Sequence, residues 1–193
     1  VMTANNGLTS TKVINITNIV KAEKPVLFVS PSGTVGSETS QIVTFKLSSP
    51  NSSDDVAYYY NDGNGWIKMD NDTFVVRKAG AYNLKFKAVS AGLESYQSPE
   101  YNVVLTTSYY ETVFKTTVLE SMDTDSGNVS LEGVKVYADN EFVGTTDENG
   151  EVKCLLKEGE YDILLDNGTF NRTQKINVND DIEFNTPMMA LDL

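Results

Sequence analysis

Apolar and polar residues alternate with period two through most of this chain, and Gly, Pro, Asn and Asp interrupt the alternation every dozen residues or so. Successive side chains of a strand point to opposite faces, so the pattern predicts half-buried strands and leaves no space for long amphipathic helices. In Ile42-Val43-Thr44-Phe45-Lys46-Leu47, the residues Val43, Phe45 and Leu47 share one face, which should meet a core, while Ile42, Thr44 and Lys46 share the other. Val56–Tyr60 and Trp66–Met69 flank Asn61-Asp62-Gly63-Asn64-Gly65. Asn and Gly accept the positive φ of tight turns, so this stretch predicts a hairpin. Further strands are predicted over 26–29, 73–76, 80–88 (with Tyr82, Leu84 and Phe86 inward) and 101–105.

A second series follows the short polar stretch Thr106-Thr107-Ser108, with strands predicted over 113–120, 133–137, 142–144, 151–156, 160–165, 173–178 and 182–191. Its centre, Glu132 to Tyr161, sets three short strands around the turn Asp147-Glu148-Asn149-Gly150. Each half thus carries about seven strands, the density of a small β-sandwich. The expected fold class is all-β, with two tandem β-sandwich domains over 25–106 and 107–193, and residues 1–24 as a linker or leading strand that includes the partly alternating 13–20. The halves share no motif, so no internal repeat is assigned. A connector as short as Thr106–Ser108 should limit swing between them.

Composition narrows the function. The net charge is −12, which opposes nucleic-acid phosphates and anionic membrane surfaces. The chain has no His, removing the commonest general base and metal ligand and any Ser-His or Cys-His pair. The single Cys154 cannot form an internal disulfide, and in Val152-Lys153-Cys154-Leu155 it reads as a small buried hydrophobe. No apolar run reaches the roughly 20 residues of a membrane span, and the polar start Val1–Gly7 is not a signal peptide. These features point to a monomeric fragment of a larger secreted or cell-surface protein.

Leu131-Glu132-Gly133-Val134-Lys135-Val136-Tyr137, Val143-Gly144-Thr145-Thr146-Asp147-Glu148-Asn149-Gly150 and Gly159-Glu160-Tyr161-Asp162-Ile163 carry a family resemblance. Residues 113–193 resemble the prealbumin-like domains of bacterial surface proteins, the collagen-adhesin B-type and carboxypeptidase regulatory-like domains. Gly133 would let the chain enter a strand, Gly144 and Gly150 would permit turns, and Tyr161 would bury its ring with its hydroxyl near water. Tyr58-Tyr59-Tyr60, Gly65-Trp66, Ala79-Gly80-Ala81-Tyr82 and Ala88–Ser95 make residues 25–105 similar to bacterial immunoglobulin-like or fibronectin type III-like units. Some collagen-adhesin B-type domains carry a self-formed isopeptide bond. That resemblance implies Asn185 as acceptor, but the family's Lys would fall near Ser121 and its Glu near Leu165. Lys115 and Glu120 could replace them only in a shifted register, so the bond is not expected. The ending Met188–Leu193 is similar to the short apolar run that precedes a clostridial dockerin, so a dockerin or anchor is expected next to this segment.

Two other candidate sites arise from residue chemistry. Tyr59 and Trp66, with Asn61, Asp62, Asn64 and Asp70 nearby, could stack on sugar rings and bond their hydroxyls; the competing expectation is that Tyr58, Tyr60 and Trp66 pack in the core. Asp123 and Asp125 in Asp123-Thr124-Asp125-Ser126-Gly127-Asn128 faintly suggest calcium, but position twelve of an EF-type loop would be Val134, which cannot supply its Glu. Asp54-Asp55 and Asp180-Asp181 read as turn pairs. Neither a cofactor motif nor a facing carboxylate pair stands out. The expectation is a non-catalytic structural or adhesion module with no cofactor, whose partner is a protein or a polysaccharide; the alternative is a carbohydrate-binding accessory module of a polysaccharide-degrading protein.

Overall fold

The computed structural model describes residues 23–49, 56–119 and 128–188, together with two strand segments at 2–3 and 9–10. Among these residues every helix-or-strand element is a strand, so the chain is all-β. The chain folds as two compact units: Val1–Leu27 with Lys46–Thr73 and Leu84–Glu100, and Phe28–Phe45 with Phe74–Asn83 and Tyr101–Leu193. The expected leading strand over 13–20 lies outside the described residues.

The first eleven strands are β1 (Met2–Thr3), β2 (Thr9–Ser10), β3 (Val26–Ser30), β4 (Glu38–Thr39), β5 (Val43–Ser48), β6 (Val56–Asn61), β7 (Ile67–Lys68), β8 (Thr73–Val76), β9 (Gly80–Ser90), β10 (Leu93–Glu94) and β11 (Tyr101–Leu105). β1 pairs with β2; β3, β5 and β8 form one sheet; β4, β11, β9, β6 and β7 follow one another in a second, with β10 added to β9. Alternation explains the burial. Val43, Phe45 and Leu47 of β5 are buried while Lys46 and Ser48 are exposed, and Leu84, Phe86 and Ala88 of β9 are buried. β4 lies parallel to β11, Glu38 opposite Val104 and Thr39 opposite Leu105. The β9–β10 hairpin turns through Ala91 and Gly92 at φ 51° and 78°, the left-handed pair that matches the twist of a two-residue hairpin.

The remaining strands are β12 (Tyr109–Leu119), β13 (Asn128–Ser130), β14 (Lys135–Ala138), β15 (Glu141–Thr145), β16 (Glu151–Lys157), β17 (Gly159–Asp166), β18 (Asn171–Val178) and β19 (Ile182–Pro187). They make two four-stranded sheets. In the first, β12 is central: it pairs antiparallel with β16 over Tyr109–Lys115 and with β13 over Thr117–Leu119, and parallel with β19 over Thr112–Thr117. The second runs β15-β14-β17-β18, antiparallel throughout. Their inner faces close on one core that includes Phe114, Leu156, Val136, Ile163, Leu165 and Val178, a β-sandwich as the resemblance implied. Phe114 and Phe184 stack across the β12–β19 pair with centroids 5.8 Å apart, and Cys154 packs against the same core.

The glycines act in two different ways. Gly133 and Gly150 hold φ of 83° and 73°, where side chains are strained. Gly144, expected in a turn, lies within β15 instead; a Cβ there would come 2.5 Å from Val152 Cγ2, so the missing side chain makes room for a core neighbour.

Candidate functional site

The hairpin β6–β7 and the long strand β9 bring the predicted aromatic residues to one face. Tyr59 stands opposite Lys87 on β9 and opposite Lys68 on β7. Lys87 has a side chain only 11% exposed. Its Nζ lies 2.6 Å from Glu94 Oε1, 4.6 Å from the Trp66 ring centroid and 5.5 Å from that of Tyr59. An ammonium drawn out of water needs opposite charge and hydrogen bonds; here a carboxylate supplies both, and the electron-rich faces of two rings supply the rest. Tyr59 and Trp66 are both half-buried. They are therefore brought together, but around a cation of the chain itself.

The polar candidates divide. Asn61 Oδ1 accepts the Gly63 N–H at 2.7 Å and Asp62 Oδ1 accepts the Asn64 N–H at 3.1 Å. Both side chains thus shape the turn. Asn64 and Asp70 are exposed. Tyr58 and Tyr60, one residue out of step with Tyr59, stand opposite Ala88 and Phe86, and the Tyr58 hydroxyl accepts the Ser49 N–H at 3.1 Å. The sequence gives no sign of the Lys87–Glu94 pair, because a lysine at an outward strand position ordinarily reads as solvated.

Lys115 and Asn185 stand opposite each other on the parallel strands β12 and β19. Lys115 Nζ lies 2.8 Å from Glu151 Oε1 and 2.9 Å from Glu183 Oε2, and Asn185 Nδ2 donates to Glu183 Oε1 at 3.4 Å. The hydrogen bonds to Glu151 and then Glu183 raise the Lys115 pKa, and that from Lys115 lowers that of Glu183. A protonated amine has no lone pair with which to attack an amide carbon, so this geometry is that of an ion-pair staple across three strands. Glu120 and the calcium candidates Asp123 and Asp125 lie outside the described residues, as does Asp54-Asp55. Among the described residues no group of three or more Cys, Asp or Glu side chains is placed to hold a metal.

Asp180 Oδ1 accepts the Asp181 N–H at 2.8 Å, as a turn pair does, but Asp181 also has a long-range role. Arg77, 104 positions earlier, grips it with two hydrogen bonds of 2.8 and 3.0 Å. Asp181 Oδ1 also accepts the Glu111 N–H at 2.8 Å, and Lys78 Nζ lies 3.7 Å away while sitting 3.3 Å above the Tyr110 ring. The bond from Arg77, followed by that from Glu111, lowers the Asp181 pKa to about 2. Around this point Thr106–Tyr109 is bonded on both sides. The Thr106 N–H donates to Thr39 O at 2.9 Å, and the Tyr109 N–H to Arg77 O at 2.6 Å. Ser108 Oγ accepts the Ala79 N–H at 3.0 Å, Ser108 O accepts the Glu158 N–H at 3.0 Å, and the Tyr109 hydroxyl donates to Ser40 O at 2.8 Å. All these groups belong to the second compact unit.

No family model matches the chain, and no curated protein matches it. Solved structures similar to it include the fibronectin(III)-like modules of Clostridium thermocellum CbhA, at 18% identity over 80% of this chain and 95% of that one, TM-score 0.31. The Bacillus anthracis TIE protein is similar at 10% identity over 89% of this chain and 41% of that one, TM-score 0.33. BcpA, the major pilin subunit of Bacillus cereus, is similar at 9% identity over 96% of this chain and 76% of that one, TM-score 0.34.

Proposed function

We propose that this chain is a non-catalytic structural module of a secreted or cell-surface protein, one that holds neighbouring parts at a fixed spacing. The observation that carries this reading is the bonded connector. A flexible tether leaves its backbone to water, whereas Thr106, Ser108 and Tyr109 are tied to Thr39, Ala79, Arg77 and Ser40 ahead of them, and Ser108 to Glu158 beyond. Arg77 and Asp181 add a two-pronged ion pair, the geometry in which such pairs are most directional. Nuclear magnetic relaxation of backbone amides tests the reading. Residues 28–45 and 109–187 should share one rotational correlation time; two separate times would remove it.

The half-exposed rings of Tyr59 and Trp66 beside Lys68 favour a second reading, that the β6–β7 face meets a polysaccharide. Glycan-array screening of the chain and of Trp66→Ala tests it. Binding lost in the variant supports the reading, and no binding by the native chain ends it.

A further inference from the structure

We infer that β12 and β19 form a mechanical clamp, so that the second half resists tension applied along the chain. The inference rests on the spacer reading for its biological sense, but its physical basis is separate. β12 is entered at its N-terminal end, from Ser108, and β19 is left at its C-terminal end, at Met188. The two strands are parallel, in register from Thr112 opposite Ile182 to Thr117 opposite Pro187. Tension through the chain therefore pulls β12 from one end of the pair and β19 from the other, along the strand axis. All the backbone hydrogen bonds of the ladder then carry load together and must fail together. Had the strands been antiparallel, both points of attachment would lie at one end and the bonds would open one after another.

Side-chain and backbone bonds outside the ladder hold these strands at three levels. At the start of β19, Asp181 is held by Arg77 and by the Glu111 N–H. In the middle, Lys115 of β12 reaches Glu183 of β19 at 2.9 Å while also holding Glu151 of β16 at 2.8 Å. At the end, Arg172 donates to Pro187 O at 2.7 Å, and the Met188 N–H donates to Thr117 O at 2.6 Å. Phe114 and Phe184 stack between the strands on the core side. The preceding segment repeats the arrangement on a smaller scale: β4 and β11 are parallel, with Gly36 N–H to Asn102 O at 2.8 Å and Thr106 N–H to Thr39 O at 2.9 Å beyond the paired residues.

The test is constant-force single-molecule unfolding of the full chain carrying Cys154→Ser. It is pulled either through its two termini or through the N-terminus and a handle at Asn179→Cys. The second geometry attaches at the start of β19, beside the start of β12, and peels the pair open. The event that releases the segment beginning at Tyr109 should outlast its peeled counterpart by at least about tenfold at equal force, because forced unfolding follows the unfolding rate. Lys115→Met should shorten the terminal-pull lifetime by about fivefold, the scale of one well-placed ion pair. Lys175→Met, which removes a pair with Asp162 on the other sheet, should leave it unchanged. Equal lifetimes in the two geometries, or equal effects of the two lysine substitutions, would overturn the clamp. A flexible connector would undo the spacer reading and leave this result standing.

Discussion

Replacing Gly150 with Ala should destabilise the second half far more than replacing Gly133, although both glycines hold nearly the same φ, 73° and 83°. Left-handed backbone costs an L-residue roughly 1–2 kcal/mol, partly offset by the smaller entropy of the unfolded Ala chain. At Gly133 nothing else opposes a Cβ, because no atom lies within 4 Å of it, so Gly133→Ala should cost about 1 kcal/mol. At Gly150 the added Cβ would lie 2.5 Å from Thr116 O, 3.0 Å from Leu131 N and 3.2 Å from Ser130 Cβ. The two nearest are backbone atoms already bonded to each other, Leu131 N–H to Thr116 O at 2.9 Å, and Thr116 N–H donates to Gly150 O at 2.8 Å. Relief requires moving the chain near β12 and β13, so overpacking of about 1–3 kcal/mol and a weakened hydrogen bond of about 1 kcal/mol add to the strain. The total is about 3–5 kcal/mol, a large part of a domain's stability of roughly 5–15 kcal/mol. Urea unfolding followed by far-ultraviolet circular dichroism reads the difference. With a slope of about 2 kcal/mol/M, the midpoint should fall by about 2 M for Gly150→Ala and about 0.5 M for Gly133→Ala. Midpoints that agree within error would refute the packing argument and leave φ as the only effect.

Three further outcomes are expected. Asp181 is depressed from 3.8 to about 2 in the folded chain, so the unfolded chain binds the proton first as pH falls. Its stabilisation is full above about pH 4 and is lost toward pH 2; urea midpoints of Asp181→Asn should therefore lie below native at pH 6 and converge on native near pH 2. Partial burial raises the Cys154 thiol from 9.0 to about 11, so native alkylation by iodoacetamide at pH 8 should be about tenfold slower than in the unfolded chain, the scarcer thiolate being partly offset by its greater nucleophilicity, and equal rates would contradict the packing of Cys154. Glu94→Gln removes the charge that faces Lys87 and should lower stability by about 1–2 kcal/mol, the rings retaining part of the ammonium's stabilisation, whereas an unchanged urea midpoint would mean that Glu94 does not hold Lys87.

Most strands can be read from the sequence because each buries one face of a period-two pattern. Val43, Phe45 and Leu47, and Leu84 and Phe86, turn inward as their alternation requires. The turn at Asp147 is equally legible: its Oδ1 accepts the N–H groups of Asn149 and Glu151 at 2.9 and 3.0 Å, a role short polar side chains perform locally. Short pairings are not legible. β4 and β10 have two residues each, too few to show a period. Nor are contacts between distant residues. Asp181 looks like any turn aspartate until the fold brings Arg77, which follows β8, beside it, and Lys87 looks like a solvated lysine until Trp66 and Tyr59 close over it. Gly144 reads as a turn residue because glycine most often marks one; the actual constraint, Val152 on the neighbouring chain segment, is a tertiary fact that no local pattern carries.

A fixed spacing requires the connector to hold Phe28–Phe45 and Tyr109–Pro187 as parts of one body. Pulsed electron paramagnetic resonance between spin labels at Ser32→Cys and Asn140→Cys, in a Cys154→Ser chain, measures this directly. A single distance peak no wider than the labels' own motion is the predicted result, and a broad or split distribution in the native chain would contradict it.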